Sequence, residues 1–139
     1  MKTIGLIGGM SGESSIEYDR IINEATHARL GELRSAKSVM APVDFAEIER
    51  LQHRGRWGEA GQFVIAAART LEVGGADFVV LCTHTMHKVA DEIQASVKIP
   101  LLHIAAATAQ RVNASGMQTV GLLGTRFTME ENFRSLPGP

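Results

Sequence analysis

Cysteine occurs once in the 139 residues, at Cys82, so the chain can form no disulfide within itself. A lone thiol fits a cytoplasmic protein. Excess positive charge is missing as well: 14 basic and 15 acidic residues leave a formal net charge of −1. Binding to nucleic acid or to an anionic membrane surface draws on a basic excess, so neither partner is expected. No apolar run approaches the ~20 residues that span a bilayer. The chain starts with one lysine and a short apolar stretch broken by Gly8 and Gly9. That is too short for the core of a secretion signal, and no small-residue cleavage site follows. There is no fixed-length repeat, low-complexity stretch or internal boundary. What is present is ordinary: 45% hydrophobic and 21% charged residues, enough for one globular core.

Apolar runs alternate with helical patterns along the whole chain. Strands are expected at 3–7, 38–43, 78–81, 100–103 and 119–123. Helices are expected at 13–30, with Ile16, Ile21, Ile22 and Ala25 at helical spacing, and at 57–73, with Phe63, Ala66, Ala67 and Leu71 on one side. Shorter helical stretches are expected at 45–52, 83–95 (after a turn), 105–114 and from 127. Strand–helix alternation of this kind predicts an α/β fold, an open doubly wound parallel sheet of four to five strands with helices on both faces. One domain spans 1–135. The tail 136–139, Leu-Pro-Gly-Pro, cannot continue a helix and is expected to be disordered.

In such a sheet the ligand site lies beyond the carboxyl ends of the strands. Three turns fall there. The first, Gly8-Gly-Met-Ser-Gly-Glu-Ser-Ser15, leaves a strand and enters a helix; it is neither a P-loop nor a dinucleotide fingerprint. Its simplest role is a tight turn with a serine N-cap. The second, Cys82-Thr-His-Thr-Met-His-Lys88, packs a thiol, two hydroxyls and two imidazoles at a helix start. That setting lowers a thiol pKa and attracts a carboxylate. It also allows a buried cysteine with Thr83 or Thr85 as N-cap, or a metal held by Cys82, His84 and His87, for which no fourth ligand is evident. The third, Gly124-Thr-Arg-Phe-Thr128, repeats the strand–Gly–hydroxyl–helix pattern. Together the three describe an anion cradle of backbone N–H groups and hydroxyls. His27, His53 and His103 are scattered and read as structural or solvated.

Taken with their order and spacing, Ile4-Gly-Leu-Ile-Gly-Gly-Met-Ser11, Val79-Val-Leu-Cys-Thr-His-Thr-Met-His-Lys88 and Val120-Gly-Leu-Leu-Gly-Thr-Arg-Phe-Thr-Met129 resemble the aspartate/glutamate racemase family. The resemblance implies one half of a two-domain fold, with the site in the cleft between the halves. It implies an isomerase of amino acids that uses neither pyridoxal phosphate nor a metal. Two groups, usually cysteines, flank the substrate Cα, because a single base returns the proton to the face it left. The resemblance places catalysis at Thr83 or Cys82 and substrate contacts at Met10, Ser11, Gln52, His84, Thr85 and Thr125.

The chain departs from the family pattern in four ways. No second Gly-Cys-Thr-Glu motif is present, so the form is expected to be a truncated one. The first-half Cys-Asn-Thr motif reads Thr83-His84-Thr85, with threonine at the cysteine position and Cys82 one residue early. His84 replaces the asparagine. Gly12 stands where an aromatic residue or a Gly-Pro context is expected. A threonine hydroxyl is a poor base without a neighbour such as His84 or His87. A non-catalytic amino-acid or dicarboxylate-binding half-domain is the alternative. An exposed apolar surface, and with it a homodimer, is expected for one half of a two-half enzyme.

Overall fold

The computed structural model describes residues 1–31 and 33–130. Four strands form one parallel sheet: β1 (Thr3–Gly8), β2 (Lys37–Pro42), β3 (Phe78–Leu81) and β4 (Leu101–Leu102). Helices connect them: α1 (Gly12–Leu30), α2 (Phe45–His53), α3 (Trp57–Val73), α4 (Ala90–Ser96), α5 (Ile104–Ala114) and α6 (Arg126–Glu130). A single tight helical turn, Thr85–Val89, precedes α4. The strand order is β2-β1-β3-β4. The chain therefore runs outward from β1 to β2, then crosses back to lay β3 on the other side of β1. In doubly wound sheets a crevice opens where the winding reverses, and ligands occupy it. Here that point lies between the ends of β1 and β3.

Alternation along β1 divides the core. Ile7 joins the main apolar cluster with Val64, Ala68, Leu71 and Val79. A methyl group at Gly5 would meet Ala76 and Leu71 at 3.0 and 3.2 Å, so α3 packs close on that face. Gly8 faces Ser15 at the start of α1 on the other side. The buried stripe of α3 is Ala60, Val64, Ala67, Ala68 and Leu71, a regular helical spacing. Phe63 and Ala66 do not belong to it; they sit about a third of a turn round, exposed, beside the β2 edge. The expected apolar stripe of α1 is likewise not buried: Ser15 is its one buried residue, and Ile16 is 71% exposed.

Residues 119–123 form no strand, and all five are exposed. The reason lies in β4. It pairs with β3 through Val79–Leu101 and Val80–Leu102 alone, and Leu102 is 52% exposed. A two-residue edge offers too short a ladder to hold a fifth strand. The tail at 136–139 lies outside the described residues.

The turn after β1 passes against the β2–α2 connection. Gly9 has φ 84°, and a Cβ there would fall 2.6 Å from the Val43 carbonyl oxygen and 2.8 Å from its nitrogen. Backbone cannot yield as a side-chain tip can. Gly9→Ala is therefore expected to lower unfolding free energy by about 1–3 kcal/mol. Gly12→Ala, with nothing within 4 Å of the new methyl, is expected to stay within about 0.5 kcal/mol. Urea denaturation of the two variants checks this; equal effects contradict it.

Candidate functional site

All three turns open into one cavity of about 650 Å³. Met10, Ser11, Gln52, Cys82, Thr83, His84, Thr85 and Thr125 all line it, so every residue assigned to catalysis or substrate contact falls in one place, whereas His87 does not line it.

Hydrogen bonds fix the first turn to itself and to β3. Ser11 is the N-cap of α1; its hydroxyl accepts from the Ser14 N–H (3.4 Å) and donates to the Glu13 carboxylate (2.9 Å). Gly9 N–H donates to Ser15 Oγ (3.0 Å). Ser14 Oγ donates to the Cys82 carbonyl (2.9 Å). The N–H groups of Gly9, Ser14 and Ser15 are thus satisfied from within, while those of Met10, Ser11 and Gly12 have no partner among the described residues. Glu13 lies at the positive end of α1, and its carboxyl is held below the usual range by hydrogen bonds from its own backbone and from Ser11. An incoming anion would meet the Glu13 carboxylate at this helix start.

The second turn is different. Cys82 is fully buried, and its N–H donates to the Ile7 carbonyl (2.9 Å). Burial pushes its thiol up to about 11. The expectation that a helix start lowers this pKa fails, because desolvation of the thiolate outweighs the weak field of a one-turn helix. Thr83 and Thr85 are half-buried and His84 is exposed, all on the cavity wall. Among the described residues the N–H groups of Thr83, His84 and Thr85 and the Thr83 hydroxyl have no hydrogen-bond partner. Neither threonine caps the turn with its side chain. Free donors therefore stand at both turns, and only the first has a carboxylate, Glu13, at its helix start.

His87 faces away from the cavity. Its Nδ1 lies 2.7 Å from the Thr83 carbonyl, and its Nε2 accepts from the Ile104 N–H at 3.3 Å. Both ring nitrogens are occupied, so His87 can neither complete a metal site with Cys82 and His84 nor serve as the base for the Thr83 hydroxyl. Among the described residues no group of three or more His, Cys, Asp or Glu gathers at metal-binding spacing.

The third turn closes the cavity from the side. Thr125 Oγ1 accepts from the Thr128 N–H (3.3 Å), and Thr128 Oγ1 lies 3.3 Å from Thr85 Oγ1. Phe127 meets the rings of Trp57 and His53 edge-on, with centroids 5.7 and 5.6 Å apart. Gln52 is buried beside Met86, whose sulfur accepts from its Nε2 (3.1 Å). Sequence reading missed Tyr18, Glu49 and His53 on the lining. Helical spacing held a usable signal: Tyr18 follows Ser14 by four residues, and Glu49 and His53 share a face of α2.

The sequence profile of the Asp/Glu/hydantoin racemases matches residues 7–136. The chain belongs to this family. The broad-specificity amino-acid racemase RacX of Bacillus subtilis is 26% identical over 132 residues, covering 91% of this chain and 56% of RacX. A crystal structure from Yersinia pestis, described as that of an Asp/Glu racemase, superposes with a TM-score of 0.91 at 54% identity. The match covers 96% of this chain and 58% of that one. An aspartate racemase homologue from Pyrococcus horikoshii gives 0.77 at 28% identity, covering 84% of this chain and 50% of its own. The chain thus spans about half the length of these relatives. The parallel α/β sheet is the architecture of the family's solved domains.

A thiol raised from 9.0 to about 11 by burial ionises first in the unfolded chain. Its contribution to stability is full below about pH 9 and is lost as pH rises through about 11. At pH 8 the thiolate fraction should be about 100-fold below that of an ordinary cysteine. Alkylation of native protein by iodoacetamide is expected to be slow at pH 8 and to inflect near 11. A rate equal to that of free cysteine contradicts the burial.

Proposed function

We propose that this chain forms the substrate-holding face of an amino-acid racemase site for aspartate- or glutamate-like acids. The observation that carries the reading is the Thr83–Thr85 turn: three unpaired N–H groups and a free hydroxyl in a cavity at the winding reversal, in a chain of this family. A substrate α-carboxylate is a good match for a run of unpaired N–H donors, whose strength grows as water is excluded. Thr85 and Thr125 stand beside that turn and suit a second carboxylate or the α-ammonium. RacX, a broad-specificity amino-acid racemase by name, supports the substrate class.

Inversion at Cα requires one group to remove the proton and another to deliver one from the opposite face. Thr83 is the group this chain presents. As a hydroxyl it is a weak base and a competent proton donor to a carbanion. Cys82, protonated near neutrality, lies beneath it in the floor. In the two-half arrangement that the family resemblance implies, the opposing base stands on the other half. The reaction is proposed to be independent of pyridoxal phosphate: among the described residues no lysine lines the cavity, and that cofactor is held as a lysine Schiff base. The setting is proposed to be cytoplasmic, which fits a free, buried cysteine. No helix among the described residues is long and apolar enough to cross a membrane. A homodimer is proposed from the apolar side chains left on the surface, Ile16, Ile21, Leu122 and Leu123 among them.

A non-catalytic binding role is the second reading, and the raised Cys82 thiol and the unassisted Thr83 hydroxyl favour it. One experiment separates the two. The chain alone, incubated with L-aspartate and L-glutamate in D₂O, is expected to yield no D-isomer at an enzyme-like rate, because a missing acid/base group removes about 10²–10⁴-fold. Slow Cα deuteration without inversion, abolished in Thr83→Ala, supports the racemase face. Binding with no deuteration supports the second reading. Clear formation of D-isomer overturns the argument that one face is missing.

A further inference from the structure

His87 is tied on both edges of its ring. Nδ1 contacts the Thr83 carbonyl at 2.7 Å, and Nε2 contacts the N–H of Ile104, the first residue of α5, at 3.3 Å. A carbonyl can only accept and an amide N–H can only donate. The ring is therefore neutral, with its proton on Nδ1. It joins two parts of the chain that have no other described polar link. One is the peptide of Thr83, whose hydroxyl faces the cavity. The other is the start of α5, a helix that buries none of its own residues. His103 completes the joint: it packs edge-on to His87 (centroids 4.7 Å apart) and caps α5 by accepting from the Ala105 N–H at 3.2 Å.

We propose that His87 is a positioning residue for the cavity: a neutral latch that orients the Thr83 peptide through Nδ1 and lets go of α5 when Nε2 takes up a proton. Protonation turns Nε2 from acceptor to donor. It then faces the Ile104 N–H, another donor, and the bond becomes a repulsion. The Nδ1 bond to Thr83 survives, so acid acts first on α5 and reaches the cavity turn through the ring's shift. The titratable groups around the ring are His84 on its own turn, His103 at the head of α5, and Asp91 of α4, which acts on His103. Lys88 lies over the Trp57 ring of α3, 4.2 Å from its centroid. Burial and then His103 push the His87 imidazole down to about 4, so the latch stays closed across the neutral range.

The ligand part of this inference rests on the cavity being an amino-acid site; the latch itself does not. The test uses the full chain, labelled with ¹⁵N, titrated from pH 8 to well below the ring's midpoint near pH 4, with His87→Gln and His87→Leu alongside. The His87 ring is expected in the Nδ1–H form at pH 8. The Ile104 amide should titrate with the same midpoint as the ring, and that transition should vanish in His87→Gln. L-aspartate binding is expected to weaken about tenfold or more in His87→Leu, and to stay within about threefold of wild type in His87→Gln. An Nε2–H tautomer, or an Ile104 amide that does not follow the ring, overturns the latch. Unchanged binding in a folded His87→Leu overturns the positioning role. If wild type binds neither L-aspartate nor L-glutamate, the amino-acid reading falls, and the tautomer and the Ile104 titration decide the latch alone.

Discussion

The backbone of Cys82 is gripped from two directions. Its N–H reaches the Ile7 carbonyl at the end of β1, and its carbonyl receives the Ser14 hydroxyl from the first turn of α1. Two bonds on one residue thus bind the ends of β1 and β3 to the start of α1. The side chain between them has no room to face water, and the next residue, Thr83, is the first to turn outward into the cavity. Loss of this clamp would free the two central strand ends, and with them the geometry of the crevice.

The site's chemistry follows from that constraint. A thiol held in the floor by its own backbone is desolvated, and a desolvated thiol stays protonated. The chain then emerges as Thr83-His84-Thr85, one residue past the strand. A backbone that has left the ladder and not yet begun a helix has N–H groups with nothing to bind. The first turn, by contrast, has filled its own helix start with Ser11 and Glu13. Two turns of similar composition therefore differ in capping and charge. One holds the scaffold together, and the other leaves uncapped N–H groups and the Thr83 hydroxyl on the cavity wall.

Much of this was legible in the residues. Glycine-hydroxyl clusters after apolar runs marked the three turns, and Ser11 as N-cap of α1 was readable from its place before the helical pattern. Four features were not fully legible, each for a physical reason. Residues 119–123 have strand composition, but a strand also needs an edge, and β4 supplies only two residues of one. The stripe of α3 was misplaced by about a third of a turn because alanine and glycine at Ala60, Gly61 and Ala68 carry little hydrophobic signal, although the close approach to β1 depends on such small side chains. Cys82 looked like an activated thiol because a helix start is visible in sequence and the burial that overrides it is not. His53 read as structural or solvated and is exposed, but its ring also packs on Phe127, a partner 74 positions away that no local pattern exposes.

The central claim is that the Thr83–Thr85 turn receives the carboxylate of an amino acid. Titrating the ¹⁵N-labelled chain with L-aspartate and following the backbone amides tests it most directly. The amides of Thr83, His84 and Thr85 should move the most, with Met10 and Thr125 following, and all should fit one dissociation constant. The largest shifts at Ser14 and Ser15 in the first turn of α1, or saturable binding that leaves the Thr83–Thr85 amides unmoved, would contradict the account.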